Sequence, residues 1–511
     1  MAKEDPHKEW LFFEEQIYTF EELNRNVNRV ANILSTLEVS KGDKVAIIMA
    51  NSPEFLNTWF ALAKIGAVMV PINTTTKGEM LAYILNHSDA KALFIHDEFY
   101  PLYLEIKNQL DNIQHVICVE GANLKNSKMA LSYQELFKNS SDIFNADENV
   151  KRNDLMCILY TSGTTGLPKG VMLSHNSYFI TGEYTAKYIY EFKNGDRIYT
   201  CLPLFHVNAQ QVTTMPALLT KTPLVLAKKF SASNFWRDMV RYEVTVFKFI
   251  GAMLSILYKQ QENEFEHQHK VRLATGSPVP KEIWKQCEKR YNIRLLEGYG
   301  STETATACLY NTLQEFRIGS CGKPLPHFDV RIFDENDREL PANQPGEIVV
   351  KAFEEHVLMK GYFKMPDKTE EAMRGGWFHT GDRGYRDEDG YFYFVDRMKD
   401  SIRRRGENIS SYMVEKAITD HPKVLECAAV GVPDELSEEE VMVYIRLQPG
   451  EELEPQDLIN WCKEHMSSFM IPRYVEFVED FPRTPTQRIQ KYKLRVKGIG
   501  QAWDRVKCNL I

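Results

Sequence analysis

The sequence lacks the features that would indicate a metal cluster or nucleic-acid binding. Its nine cysteines are scattered and none forms a Cys-x-x-Cys pair, which argues against a zinc knuckle and a disulfide framework. We therefore expect reduced thiols. Lysine and arginine number 62 against 70 acidic residues, so the net charge is −8 and no basic field favours nucleic acid as a partner.

Long hydrophobic runs are also missing. The most extended apolar stretch, residues 59–72, is interrupted by Lys64 and Gly66 and is too short to cross a bilayer. The first five residues include Lys3, Glu4 and Asp5, and no apolar segment follows them, so we expect no signal peptide. These features predict a cytoplasmic protein without stable membrane insertion, and 511 residues suffice for two or more domains.

Two common nucleotide-binding motifs are absent, but a third type of loop is present. No Gly-Lys pair is followed by Ser or Thr, and no Gly-x-Gly-x-x-Gly occurs at the first βα turn, so neither a P-loop nor a dinucleotide fold is indicated. Residues 160–170 instead read Tyr-Thr-Ser-Gly-Thr-Thr-Gly-Leu-Pro-Lys-Gly, after an apolar run predicted as a strand. Glycines allow close approach of the backbone, and hydroxyls and a lysine bind phosphate oxygens. The residues expected to contact phosphate are Thr161, Ser162, Gly163, Thr164, Thr165, Gly166 and Lys169. A plain glycine-rich surface turn is the alternative.

The arrangement of apolar segments predicts an α/β protein. Strand and helix patterns alternate through the first two thirds of the chain. From residue 330 shorter strands separated by turns predict a β-rich subdomain, and a compact α+β segment follows residue 400. We place the N-terminal domain at residues 1–396, a connecting segment at 397–400 and the C-terminal domain at 401–511.

Three further segments follow the loop in a fixed order. Residues 299–303 read Tyr-Gly-Ser-Thr-Glu, residues 377–382 read Trp-Phe-His-Thr-Gly-Asp, and residues 396–400 read Asp-Arg-Met-Lys-Asp. Together the four segments resemble the motifs of the adenylate-forming superfamily, which comprises acyl-CoA synthetases, adenylation domains of non-ribosomal peptide synthetases and beetle luciferases. The resemblance covers nearly the whole chain. It implies a large N-terminal domain for ATP and the acyl substrate, and a small mobile C-terminal domain.

The residue types at 299–303 suit a nucleotide site. An aromatic ring stacks on adenine, hydroxyls bind phosphate, and a carboxylate is a hard oxygen ligand for Mg²⁺. The resemblance implies that Tyr299 contacts adenine, that Thr302 contacts the α-phosphate, and that Glu303 holds the metal together with Thr164. It extends the ATP site to Gly276, Ser277, Pro278, Glu297, Gly298, Gly300 and Ser301.

The same resemblance implies which residues bind the ribose and which form the hinge. A carboxylate can accept hydrogen bonds from both ribose hydroxyls, which is the role implied for Asp382, with Arg397 in support. Asp382 could instead cap the turn at Gly381. Lys399 occupies the pivot of the implied hinge and is a candidate catalytic residue, although a solvated linker charge would look similar.

The candidate acyl and CoA residues lie in two segments. Residues 202–211 resemble the family's acyl-pocket segment and contain His206, where peptide synthetase domains carry an aspartate; this favours an acid without an α-amino group. A buried core histidine is the alternative. Arg403, Arg404 and Arg405 suit the phosphates of CoA, and Gly406 would leave room for the pantetheine arm beside Glu407. A solvated basic face remains open for the arginines. Both segments most resemble the crotonobetaine/carnitine-CoA ligase subgroup.

One segment departs from the family pattern. Relatives carry Thr-Pro-(Ser/Thr)-Gly-Lys-Ile near the C-terminus, and that lysine contacts carboxylate and nucleotide. This chain has Gln487 and Arg488 in place of the glycine and the lysine. Arginine is planar and bulky where lysine is a compact ammonium, so the change is not conservative. Arg488 and Lys491, three residues further on, are both candidates for the catalytic role.

The sequence thus predicts an ATP- and Mg²⁺-dependent acyl-CoA ligase. It would form acyl-AMP and pyrophosphate from a small or medium acid, of carnitine or crotonobetaine type or another, and then transfer the acyl group to CoA. Two alternatives remain: an enzyme that loads a carrier protein, and a nucleotide-binding protein with weakened catalysis. The expected partners are the acid, ATP and CoA, with a homodimer as a possible assembly.

Overall fold

The fold is known from a computed structural model. It describes residues 1–119, 130–146, 149–161, 167–279, 283–305, 307–397, 401–434, 438–482, 489 and 491–508, and for residues 252, 396, 397, 401, 408, 412 and 492 it describes the backbone alone. Within these ranges no helix combines the length and apolar character needed to cross a membrane.

The first third of the chain alternates strands and helices, as the sequence predicts. Its elements are β1 (Glu9–Phe13), β2 (Gln16–Thr19), α1 (Phe20–Thr36), β3 (Lys44–Ile48), α2 (Pro53–Ile65), β4 (Val68–Pro71), α3 (Gly78–His87), β5 (Ala90–His96), α4 (Tyr100–Ile106), β6 (His115–Val119), β7 (Leu131–Ser132), α5 (Tyr133–Asn139), β8 (Leu155–Thr161) and β9 (Lys169–Ser174).

The middle third continues this alternation. It contains α6 (His175–Thr185), β10 (Ile198–Thr200), α7 (Val207–Ala209), α8 (Met215–Leu219), β11 (Leu224–Leu226), α9 (Phe235–Arg241), β12 (Val246–Ile250), α10 (Gly251–Lys259), β13 (Leu273–Ser277), α11 (Trp284–Tyr291), β14 (Arg294–Tyr299), β15 (Leu309–Tyr310) and β16 (Lys323–Pro324). Two π-helical turns, Ala186–Tyr190 and Gln210–Thr214, continue α6 and α7.

The last third is richer in strands. It contains β17 (Phe328–Phe333), β18 (Gly346–Ala352), α12 (Pro366–Ala372), β19 (Phe378–Arg386), β20 (Phe392–Arg397), β21 (Ser401–Arg404), β22 (Glu407–Ser410), α13 (Ser411–Thr419), β23 (Val424–Pro433), β24 (Glu439–Leu447), α14 (Pro455–His465), β25 (Tyr474–Phe477), α15 (Lys491–Lys497) and β26 (Trp503–Asp504). Single 3₁₀ turns occur at Asp97–Phe99, Lys107–Gln109, Glu264–His267, Arg374–Gly376 and Ser468–Met470.

The strands form two large sheets and three smaller ones. The seven-stranded sheet has the order β7-β6-β5-β3-β4-β8-β9, and the nine-stranded sheet has the order β16-β15-β14-β13-β12-β10-β11-β1-β2. Their central strands are parallel. The edge strand β9 of the seven-stranded sheet and both edges of the nine-stranded sheet are antiparallel, whereas β7 pairs in parallel with β6. Strands β17 to β20 form the predicted β-rich subdomain, and the strands after residue 400 form the hairpin β21-β22 and the sheet β23-β24-β25-β26.

Local sequence explains how the elements begin and end. Helix α2 starts where Ser52 caps the backbone N–H of Phe55, has Pro53 in its first turn, and ends at Gly66 in the left-handed region. Its Trp59 is fully buried in the core that both large sheets share. The strands are nearly continuous apolar runs because helices cover parallel sheets on both faces.

Asn51 ties the two large sheets together. It follows β3 in the seven-stranded sheet and is 3% exposed. Its Nδ2 donates to the carbonyls of Leu202 and Ala227 at 3.0 and 2.9 Å, and its Oδ1 accepts from the backbone N–H of Leu204 at 2.7 Å. These partners follow β10 and β11 of the nine-stranded sheet, so one amide positions the segment that the sequence predicts as the acyl pocket.

Replacing Asn51 by alanine is expected to destabilise the N-terminal region. The change leaves buried backbone groups without partners, and the free energy of unfolding should fall by about 3 kcal/mol in denaturant titrations. Asn32→Ala is the matched control, because Asn32 also donates to two backbone carbonyls, Ser141 and Ile143, but at the surface. Water can replace those bonds, so its loss should stay below about 1 kcal/mol. Equal losses in the two variants would contradict the structural role of Asn51.

Candidate functional site

The predicted nucleotide residues meet at one edge of the molecule. Strands β12, β13 and β14 are parallel, so their carboxyl ends, at Ile250, Ser277 and Tyr299, lie side by side. Strand β8 ends at Thr161, where the phosphate loop begins, and β9 begins at Lys169 directly opposite. Ligands of open α/β sheets bind outside the carboxyl ends of the strands. The loop residues Ser162, Gly163, Thr164, Thr165 and Gly166 lie outside the described residues.

Glu303, the predicted metal ligand, is held by Tyr362. The Tyr362 hydroxyl donates to Glu303 Oε1 at 3.0 Å, and the backbone N–H of Met359 donates to the Glu303 carbonyl at 2.9 Å. Burial, together with the adjacent Glu303 carboxylate, raises the pKa of Tyr362 far above its usual value, so its hydroxyl keeps its proton and remains a donor.

Tyr362 also contacts the lysine of the phosphate loop. Lys169 Nζ lies 3.9 Å from the centre of the Tyr362 ring, a cation–π contact. The backbone around Tyr362 adds to the edge of β9: Gly361 accepts from the Met172 N–H at 3.0 Å, and Phe363 donates to the Gly170 carbonyl at 2.8 Å. One buried tyrosine therefore links the predicted metal carboxylate to the loop lysine. Nothing in the sequence of residues 359–363 marks a contact with position 303, so this tyrosine could not be predicted as part of the site.

The predicted adenine-side turn is shaped by Glu297. Its Oε1 accepts from the Ser277 hydroxyl at 3.5 Å and from the Val279 N–H at 3.3 Å, which fixes the turn after β13. Gly276 must lack a side chain, because a Cβ there would lie 2.3 Å from the Phe249 carbonyl. The predicted residues Gly276, Ser277, Pro278 and Glu297 therefore lie together.

Tyr299 and Asp382 come together although 83 residues separate them. The Tyr299 hydroxyl donates to Asp382 Oδ2 at 2.6 Å. Burial and the Asp382 charge raise the pKa of Tyr299 well above its usual value. Asp382 is 7% exposed, and its backbone lies opposite that of Arg397 in the antiparallel pair of β19 and β20. This places the predicted adenine and ribose residues in contact at the end of β14, beside Gly298 and Gly300.

The turn after Tyr299 has a polar atom that suits a ligand oxygen. Ser301 Oγ is buried and has no hydrogen-bond partner among the described residues, while the Ser301 N–H donates to Thr304 at 2.8 Å. Thr302 and Glu303 follow in the same turn. One carboxylate leaves most of the coordination sphere of Mg²⁺ to other oxygens, so Glu303 would bind the ion together with phosphate oxygens of ATP.

The predicted acyl and CoA residues also meet. His206 Nε2 and Glu407 Oε1 lie 2.7 Å apart, which joins the segment after β10 to the hairpin β21-β22. Burial alone would lower the pKa of His206, but the charge and hydrogen bond of Glu407 outweigh it, and the pKa is raised. At the tip of the hairpin, Gly406 has φ +82° and a Cβ there would lie 3.1 Å from Ile250. Arg405 is exposed at the same tip.

One prediction needs correction, and the roles predicted for Lys491, Lys399 and Arg488 stay untested. Arg404 is 6% exposed, pairs with Glu440 at 2.7 Å and donates to the Phe469 carbonyl at 2.9 Å, so it stabilises the C-terminal domain and does not face CoA. Lys491 pairs with Glu415 at 2.6 Å and donates to Ser411. Its catalytic role stays a prediction. Lys399 and Arg488 lie outside the described residues, and so does the hinge after Arg397.

Comparisons with known proteins agree with this geometry. The AMP-binding enzyme family matches residues 1–363, and the AMP-binding enzyme C-terminal domain matches residues 413–488. Crotonobetaine/carnitine–CoA ligase of Salmonella agona is 35% identical over 481 residues, which cover 94% of this chain and 93% of that protein.

Two solved structures of one enzyme are also similar. A double mutant of o-succinylbenzoate CoA synthetase from Bacillus subtilis, bound with its product analogue OSB-NCoA, superposes with a TM-score of 0.84 at 25% identity, covering 97% of both chains. The same enzyme in complex with the acyl-adenylate intermediate OSB-AMP gives a TM-score of 0.69 at 26% identity, covering 97% of this chain and 96% of that one.

These matches confirm the predicted fold class and the predicted enzyme class. The use of ATP, Mg²⁺ and CoA follows from the family. The chain belongs to the AMP-binding enzyme family and is an AMP-forming acyl-CoA synthetase.

Proposed function

We propose that the chain joins a small or medium carboxylic acid without an α-amino group to CoA, through an acyl-adenylate. The observation that carries the proposal is the 2.7 Å contact between His206 and Glu407, which brings the acyl-pocket segment against the C-terminal hairpin. The proposal includes the division into residues 1–396, 397–400 and 401–511 and a cytoplasmic location, and it allows a homodimer.

In the first half-reaction the N-terminal residues position ATP. Asp382 would bind the ribose, Tyr299 would contact adenine, and Lys169 with the loop at 161–166 would bind the phosphates. Bound Mg²⁺ offsets the negative charge that develops on pyrophosphate as it leaves. Glu303 would hold that ion, and the fixed donors around it would stabilise the transition state without moving.

In the second half-reaction the C-terminal hairpin approaches the acyl pocket. The structure superposes better on the relative bound with a CoA product analogue than on the same relative with an acyl-adenylate, at TM-scores of 0.84 and 0.69. This supports the view that the described arrangement is the one for thioester formation. Gly406, which has no side chain, lets the tip of the hairpin approach Ile250 closely, and exposed Arg405 would meet phosphates of CoA.

One set of assays tests both the class of acid and the acceptor of the acyl group, which is CoA or a carrier protein. Pyrophosphate release is measured with short, branched, aromatic and betaine-type acids, the last because the Salmonella relative is named for crotonobetaine and carnitine. The expected result is release that requires both ATP and an acid, with the thioester formed on free CoA. Transfer to a phosphopantetheinyl carrier protein but not to CoA would favour the alternative of carrier loading. Tight ATP binding without turnover of any acid would favour weakened catalysis.

Glu303→Gln is expected to reduce pyrophosphate release by at least about 100-fold, because an amide cannot neutralise Mg²⁺ as a carboxylate does. The matched control is Glu264→Gln, whose side chain accepts from Gln268 at the surface, and it should keep the wild-type rate. Both rates are measured at saturating acid over a range of Mg²⁺ concentrations. Wild-type release by Glu303→Gln would contradict the metal assignment.

Tyr362→Phe is expected to raise the Mg²⁺ concentration needed for half-maximal rate about tenfold, because Glu303 loses the hydroxyl that orients it. The ring remains, so the contact with Lys169 and the KM for ATP at saturating Mg²⁺ should change little. Tyr362→Leu removes both contacts and should raise the KM for ATP as well. Tyr242→Phe, which removes a hydroxyl that donates to the Glu14 carbonyl at 2.8 Å, serves as control. An unchanged Mg²⁺ requirement in Tyr362→Phe would show that Tyr362 is only structural.

Glu407→Gln is expected to slow thioester formation at least about tenfold while acyl-AMP still forms in a single turnover, because the hairpin loses its ion pair with His206. The raised pKa of His206 means that the pair is charged below that pKa and loses its attraction as the pH rises through it. Wild-type thioester formation should therefore be constant up to the ordinary histidine pKa of about 6.5 and decline at higher pH, with a weaker decline in the variant. Glu451→Gln, which breaks a surface pair with Lys423, is the control. Equal slowing of both half-reactions in Glu407→Gln would contradict the assignment.

A further inference from the structure

Lys248 is a buried amine in the nine-stranded sheet. It lies on β12 between Phe247 and Phe249 and is 3% exposed. Its Nζ donates to the Tyr310 hydroxyl at 2.7 Å, and in the described part of the chain no carboxylate pairs with it. Burial lowers the pKa of Lys248 to about 7. Burying a charge without a counter-ion is costly, so a bound anion would stabilise the protonated form of this amine.

The register of the sheet places Lys248 directly beneath the nucleotide turn. It stands two residues before the end of β12, which is about 7 Å along a strand. Lys248 pairs with Thr275, Thr275 pairs with Leu296, and Gly298, two residues after Leu296, pairs with Tyr310. Paired residues and alternate residues share a face of a sheet. Lys248 and Tyr310 therefore share a face with Gly298, next to the adenine and phosphate residues.

The acyl-pocket segment covers this face of the sheet. The Tyr190 hydroxyl donates to the Val212 carbonyl in the π-helical turn Gln210–Thr214, which continues that segment. Tyr190 also adds to the rise in the pKa of Tyr310 that burial causes, so the two phenols are neighbours. The Lys248–Tyr310 pair consequently lies between the sheet and the acyl-pocket segment.

Thr275 offers a second donor at this place. It lies opposite Lys248 on β13, is fully buried, and its Oγ1 has no hydrogen-bond partner within 3.5 Å among the described residues. Native interiors rarely leave such a hydroxyl unsatisfied, so it indicates a polar ligand group. An amine and a hydroxyl that can both donate suit an anionic group.

We propose that Lys248 determines substrate specificity by binding a second carboxylate at the distal end of the acid. The inference rests on the proposed function, since it concerns the same acyl site. A distal carboxylate supplies the missing counter-charge, whereas an apolar end would leave the amine unpaired. A trimethylammonium end would be repelled. The preferred acid therefore differs in charge from the betaines for which the Salmonella relative is named.

The first test uses the wild-type enzyme and pairs of acids. Pyrophosphate release is measured with straight-chain diacids of four to about eight carbons, with monoacids of equal length, and with betaine-type acids. The expected result is a kcat/KM for the best diacid at least about 100-fold above that of its matched monoacid. A preference for monoacids or betaines overturns the inference and leaves the proposed function standing. Absence of release with every acid overturns both.

The second test changes the amine. Lys248→Met keeps the length of the side chain without its charge and should bring the diacid-to-monoacid ratio of kcat/KM close to one. Lys248→Arg keeps the charge and should preserve a preference for diacids. Lys64→Met is the matched control, because Lys64 is half-buried and donates to Asn24 at 2.9 Å on α1; its ratio should equal that of wild type. An unchanged diacid-to-monoacid ratio in Lys248→Met contradicts the inference. If that variant does not fold, the comparison of diacids with monoacids on the wild-type enzyme decides.

Discussion

The hydrogen bond from Tyr299 Oη to Asp382 Oδ2 joins two parts of the nucleotide site. Tyr299 ends a strand of the nine-stranded sheet, and Asp382 lies on β19 of the four-stranded sheet. Asp382 is nearly buried, and a buried carboxylate is stable only when its oxygens find donors. The same strand pair continues through Arg397 towards the predicted hinge. Tyr299, predicted to contact adenine, and Asp382, predicted to bind ribose, are thus connected with each other and with the strand that leads towards the C-terminal domain.

Much of the arrangement of the motifs on strands could be predicted from the sequence. Four motifs in order indicate the family, and apolar runs between turn residues locate the strands on which the motifs lie. The carboxyl ends of parallel strands in one sheet meet at one edge, so the motifs at 277 and 299 could be expected to lie together. The motif at 161 ends a strand of the other large sheet, and its place beside them could not be predicted in this way. The β-rich subdomain and the helix beginning near residue 412 were predicted for the same reason, because periodicity is a local property.

The interactions that depend on distant side chains could not be predicted. Tyr362 reaches Glu303 across 59 residues, and no spacing rule connects a tyrosine in residues 359–363 to a carboxylate in another turn. Arg404 and Arg405 are adjacent and chemically identical, yet one is buried against Glu440 and the other is exposed. Lys248 did carry a local signal, since a lysine within an otherwise apolar strand is unusual. The lysine could be interpreted as part of a binding site only once its Tyr310 contact and the unpartnered Thr275 hydroxyl beside it were known.

The tip of the hairpin β21-β22 has a consequence for how the enzyme keeps its two reactions apart. Arg405 and Gly406 both adopt positive φ, and the bare backbone of Gly406 faces Ile250 at a separation that admits almost no additional atom. If the C-terminal domain turns between the two steps, this close fit is formed in one orientation and lost in the other. In that case the hairpin would mark the orientation in which the thiol of CoA can reach the adenylate, and the missing side chain of Gly406 would be what allows that orientation to form.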